Sequence, residues 1–105
     1  MKDRIHVRLL IIDDDEGVCR RLGSWLTEER FGVETFTDVN AGLDAATRNS
    51  FDIAFLDLRP PDIDGAELVA RVGAAPGSPR VIVMGAFPDP DEVKRALAAG
   101  AGWVK

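Results

Sequence analysis

One cysteine, one histidine and no apolar run long enough to cross a bilayer leave this chain of 105 residues few chemistries to choose from. Cys19, being alone, excludes an internal disulfide and a cysteine-based zinc site, and at a helical position it serves best as a small buried hydrophobe. His6 is equally isolated and reads as a solvent-facing side chain at the start of a strand. The longest apolar stretches fall far short of the roughly 20 residues of a spanning helix. The opening Met1-Lys2-Asp3-Arg4 leads into no apolar signal core. The chain is therefore expected to be cytoplasmic, with no membrane partner. Positive charge is also scarce: 13 Lys and Arg stand against 18 Asp and Glu, for a net charge of -5. The basic residues are scattered, so no nucleic acid partner is expected, because phosphate backbones demand clustered Lys and Arg.

What the chain does have is two short apolar runs that end on acid. Leu9-Leu10-Ile11-Ile12 leads into Asp13-Asp14-Asp15, and Ile53-Ala54-Phe55-Leu56 leads into Asp57. Such runs in a small alternating chain read as buried strands of a parallel sheet. With 46% hydrophobic and 30% charged residues, residues 1–105 are expected to form one domain.

The first strand spans Val7 to Ile12, and Val18, Leu22, Trp25 and Leu26 recur at helical spacing from Glu16 to about Arg30, capped by Asp15 or Asp14. Gly32 ends the turn before a second strand, Val33 to Phe36, and Asp38 caps a helix to Arg48. After the strand Ile53 to Asp57, the prolines of Arg59-Pro60-Pro61-Asp62-Ile63-Asp64-Gly65 enforce a loop. A third helix from about Ala66 to Val72 and a strand Val81 to Met84 follow. Asp89-Pro90-Asp91-Glu92 is a helix start, with an acid cap, proline at the first helical position and a glutamate three residues after the cap. That helix ends at Gly100, and Trp103-Val104-Lys105 begins a fifth strand. Four alternations of strand and helix give an α/β parallel sheet with right-handed crossovers.

In open α/β sheets ligands bind beyond the carboxyl ends of the strands, where the winding reverses. The first and third strands are the natural pair to share such a site, which places Asp13, Asp14 and Asp57 together. Like charges that close raise one another's pKa unless a cation neutralises them, and an all-oxygen carboxylate set suits Mg²⁺. An Asp beside Mg²⁺ can attack a phosphoryl group and carry it as an acyl phosphate. The plainer reading, one acid as a helix cap and the others merely solvated, accounts for one acid but not for a second acid-ended strand.

These residues resemble the receiver domain of two-component response regulators. Ile12-Asp13-Asp14-Asp15 with Val18 and Leu22 is similar to the family's acid-pair strand and first helix. Asp57 with Pro61 four residues on and Gly65 eight residues on is similar to its phosphoacceptor strand and loop, and Ala98-Ala99-Gly100-Ala101 matches in spacing. The resemblance implies a doubly wound, flavodoxin-like sheet of order 2-1-3-4-5, here lacking the last helix and truncated at or just after strand five. It implies Asp57 as phosphoacceptor, Asp13 and Asp14 as Mg²⁺ ligands, and Arg59 offering the metal its backbone carbonyl with its side chain over the site. The implied partners are a histidine kinase or phosphotransfer protein and an output partner the sequence does not name.

Three departures accompany the resemblance. Gly85 stands where the family has Thr or Ser at the end of strand four, and Phe87, two residues on, is expected to cover the site partly. A hydrogen bond to a charged group contributes roughly 1.5–3 kcal/mol, so its loss should slow phosphotransfer by about one to two powers of ten and remove the residue meant to sense the phosphate. The family's lysine after strand five falls two positions past Lys105 unless two residues are deleted after Ala101, and the same offset leaves Trp103 or Val104 at the switch aromatic. Without a fifth helix one sheet face should show an apolar patch, which a homodimer would cover unless the sequence is a fragment of a longer chain that covers it.

The leading expectation is a switch module rather than a turnover enzyme. The alternatives are a degenerate receiver that binds partners without phosphate, and a phosphatase resembling the haloacid dehalogenase superfamily with Asp13 as nucleophile. Against the phosphatase, Gly17 stands where that family has Thr or Val, and the chain has no room for its remaining acids.

Overall fold

Leu9, Leu10, Ile11 and Ile12 are each at most 1% exposed, which requires helices on both faces of the strand they form. The computed structural model describes residues 7–85 and 89–104. Strand and helix alternate through β1 (Arg8–Ile12), α1 (Glu16–Glu28), β2 (Gly32–Phe36), α2 (Val39–Arg48), β3 (Ile53–Asp57), α3 (Gly65–Gly73), β4 (Arg80–Met84), α4 (Pro90–Ala98) and β5 (Gly102–Val104). The five strands are all parallel and ordered β2-β1-β3-β4-β5. This is the doubly wound arrangement expected from the sequence, with its winding reversal between β1 and β3.

The faces differ in what covers them. On one, Leu10, Ile12, Ala54, Leu56, Val81 and Val83 pack against α2, α3 and α4 through Val39, Ala46, Leu68, Val69, Val72 and Ala96. On the other, Leu9 and Ile11 pack against Cys19 and Leu26 of α1. The side chains that continue this second face, Ile53, Phe55, Ile82 and Met84, stay only partly buried. Leu9 and Ile11, the β1 partners of Ile53 and Phe55, are buried because α1 packs over β1 and β2.

Among the described residues each helix starts at an aspartate whose carboxylate accepts backbone N–H bonds: Asp15, Asp38, Asp64 and Asp89. Asp15, not Asp14, caps α1, accepting from Gly17 at 2.8 Å and Val18 at 3.2 Å. Helix α1 stops at Glu28, short of the expected Arg30, because Arg30 turns left-handed at φ 71°. Trp25, expected within the apolar stripe of α1, is 60% exposed. It lies on the flank of the stripe that Cys19 and Leu26 drive into the sheet. His6 and Lys105 lie outside the described residues. Among the described residues no helix is long and apolar enough to cross a membrane.

Candidate functional site

The register of β1 against β3 builds the site. Ile12 pairs with Leu56, so the next residue of each strand, Asp13 and Asp57, emerges side by side at the carboxyl edge. Carboxylate oxygens of Asp13, Asp14 and Asp57 all lie within 4.8 Å of one another. Asp13 is 8% exposed and holds its loop shut: its Oδ1 accepts from the N–H of Asp15 at 2.9 Å. The Cys19 thiol donates to the Asp13 carbonyl at 3.3 Å, so this buried cysteine supports the acid loop from beneath. Burial pushes the thiol above its usual range, with the Asp13 charge adding to it, and this keeps Cys19 protonated and unreactive.

Asp57 Oδ1 accepts from the Arg59 N–H at 3.1 Å. Burial raises its carboxyl from an ordinary 3.8 to about 6; the Arg59 bond opposes the shift, while Asp13 and Asp14 add to it. Burial likewise raises Asp13, against the Asp15 N–H. A carboxylate set crowded in this way has the donor chemistry of a hard divalent cation. Asp14 is exposed, so a cation held here would keep part of its water shell.

The raised Asp57 sets a pH dependence. A carboxyl whose folded pKa exceeds its unfolded one binds its proton more tightly in the native state. Its stabilising contribution is complete below about 4 and is lost as pH rises through about 6. Because Asp57 is partly exposed, the loss is expected to be about 1–2 kcal/mol after screening. Urea denaturation of metal-free protein between pH 4 and 8 should show this fall, and Asp57→Asn should flatten it. A parallel fall in the variant would assign the effect to other groups.

The structure brings some expected residues together and not others. Gly85 directly follows Met84, the register partner of Asp57, so it stands at the same edge with no side chain to offer. The Arg59 side chain does not lie free over the site: its Nε donates to Glu92 Oε1 at 2.7 Å. Glu92, in the first turn of α4 as its spacing from Asp89 suggested, thus also pairs with an oppositely charged side chain from a distant loop. No local pattern signals that pair. Phe87 and Lys105 fall outside the described residues, and Trp103 is placed by its backbone, paired with Val83 in β5.

The sequence model of the family described as the response regulator receiver domain matches residues 9–103. The chain belongs to the response regulator receiver family. Among curated relatives, the receiver is similar to response regulator ArlR of Staphylococcus haemolyticus, at 35% identity over 75 residues, which is 71% of this chain and 34% of that protein. It is 30% identical over 97 residues to the regulatory protein VanRB of Enterococcus faecalis, covering 92% of this chain and 44% of that protein. The receiver thus spans less than half the length of these relatives. Among solved structures, a CheY-like receiver domain protein from Methanospirillum hungatei superimposes with a TM-score of 0.87 at 25% identity, over 93% of this chain and 79% of that one. The FixJ-N crystal structure superimposes with a TM-score of 0.82 at 30% identity, over 98% of this chain and 81% of that one.

Proposed function

We propose that this receiver takes a phosphoryl group onto Asp57 from the phosphohistidine of a histidine kinase or phosphotransfer protein, as a cytoplasmic switch in a two-component phosphorelay rather than a turnover enzyme. The observation that carries the reading is the cluster of Asp13, Asp14 and Asp57 at the winding reversal of the sheet, within 4.8 Å of one another. An Asp57 oxygen forms the bond to phosphorus as the bond from phosphorus to the donor nitrogen breaks, and the electron pair leaves with the imidazole. Mg²⁺ held by the three carboxylates and the Arg59 carbonyl would neutralise their repulsion and the charge on the transferring oxygens.

The chain's own residues prepare this step. The Arg59 N–H orients Asp57, and the Asp15 N–H and Cys19 hold Asp13 in place. Asp15 is occupied in capping α1 and takes no part. The partly buried face formed by Phe55, Ile82 and Met84 is the surface a second copy would cover.

Intact mass after incubation with acetyl phosphate and Mg²⁺ tests the reading. One labile phosphoryl adduct is expected, dependent on Mg²⁺ and absent from Asp57→Asn. No adduct, under conditions that phosphorylate an ordinary receiver, would replace this reading with a phosphate-independent interaction module.

A further inference from the structure

The loop after Asp57 is strapped to α4 by two ion pairs. Arg59 Nε donates to Glu92 Oε1 at 2.7 Å, and Arg95 donates to Asp64 Oδ2 at 2.8 Å, Asp64 being the N-cap of α3. The space beneath the straps, lined by Leu58, Gly65, Glu92 and Arg95 among others, amounts to about 10 Å³. That is no more than one water. The straps differ in one respect. Arg59 begins beside the phosphoacceptor, with its backbone N–H already on the Asp57 carboxylate, whereas Asp64 lies seven residues further along the chain.

The geometry points to Arg59 and Glu92 as a latch that couples the state of Asp57 to α4: the Arg59 guanidinium is held by Glu92 while Asp57 is free and passes to the phosphoryl oxygens once Asp57 is modified, releasing α4 from the loop. The inference rests on the phosphoacceptor reading above. Its driving force is a difference between two acceptors. Glu92 offers a single negative charge and takes one short bond from Nε. A phosphoryl group brings close to two negative charges and three acceptor oxygens, and a guanidinium fork engages two of them at once. An arginine side chain is long enough to reach a group two residues back in the same loop, and the Arg59 backbone already touches the Asp57 carboxylate. The pair it must leave is weakly held, because the Arg59 and Glu92 side chains are 58% and 33% exposed. A ligand shifts a conformational equilibrium only by its differential affinity for the two states, and here the difference resides in one cation with two competing anions.

This route does not use a strand-end hydroxyl, which Gly85 removes. Glu92 remains in the first turn of α4 after release, where its charge suits the helix N-terminus. The helix is therefore expected to loosen from the loop without melting.

Hydrogen exchange over residues 89–98, with intact mass from the same samples, tests the latch in the wild type, Glu92→Gln and Arg95→Gln, with Mg²⁺ and with or without acetyl phosphate. In the wild type, exchange should rise roughly two- to fivefold on phosphorylation, the population factor of one exposed ion pair. Glu92→Gln should exchange faster from the start and gain nothing more. Arg95→Gln should start higher and still gain on phosphorylation, because its strap does not touch Asp57. An adduct that leaves wild-type exchange unchanged overturns the latch alone, as does a Glu92→Gln protein that responds like the wild type. Absence of any adduct overturns the phosphoacceptor reading and the latch with it.

Discussion

Gly85→Thr is expected to accelerate phosphorylation of Asp57 by acetyl phosphate roughly ten- to hundredfold. Gly85 follows β4 at the position next to Met84, which pairs with Asp57 across the sheet, and the Leu58 N–H bonds the Met84 carbonyl at 2.9 Å. The end of β4 is thus tied to the end of β3, and a hydroxyl at residue 85 would stand at the same edge as the acceptor carboxylate. A hydrogen bond from that hydroxyl to a charged phosphoryl oxygen is worth roughly 1.5–3 kcal/mol. If the bond strengthens as charge accumulates on the transferring oxygens, it lowers the barrier by a comparable amount, at about 1.4 kcal/mol per tenfold. Initial rates of adduct formation by mass spectrometry would measure it, with Gly85→Ala as the control that adds a side chain and no hydroxyl. Equal rates in the Thr and Ala variants would mean that the phosphoryl oxygens are fully bonded without residue 85.

The largest effect on stability is expected at Gly65, eight residues after the phosphoacceptor. A Cβ built at this position collides with the backbone carbonyl oxygen of Leu58, so the obstacle is main chain and cannot rotate away. Leu58 is 3% exposed and follows Asp57 directly. Gly65 opens α3 after its cap, Asp64, and the close approach lets that helix start against the end of β3. Gly65→Ala must push α3 or the β3 end aside, and overpacking against fixed backbone costs about 2–3 kcal/mol. In a domain of this size that corresponds to a fall in Tm of roughly 10–20 °C. Thermal denaturation followed by circular dichroism would report it. Because the displaced carbonyl belongs to the residue after Asp57, phosphorylation should slow as well. An unchanged Tm would show that α3 can shift outward freely.

Much of the fold was legible because its signals are local. Asp38 and Asp89 cap the helices they precede, as their positions suggested, since an acid there satisfies N–H groups that the first turn leaves unpaired; the choice of Asp15 over Asp14 and the cap at Asp64 came only with the structure. The apolar runs at Leu9 and Ile53 became adjacent parallel strands, and their one-residue continuation into acid was enough to predict that Asp13 and Asp57 meet. The boundaries were less legible. Arg30 rather than a glycine takes the left-handed turn after α1, and no composition rule selects arginine for that conformation.

The sequence by itself determined the alternation of strand and helix, the caps of α2 and α4, and the delivery of three carboxylates to one sheet edge, because periodicity, capping and strand parity act between residues close along the chain. Only the tertiary structure decided that Trp25 faces outward, that Cys19 braces Asp13, and that Glu92 pairs with Arg59, 33 residues away. Those outcomes depend on which side chains from distant segments arrive with the complementary shape or charge, and neither spacing nor propensity along the chain encodes that arrival.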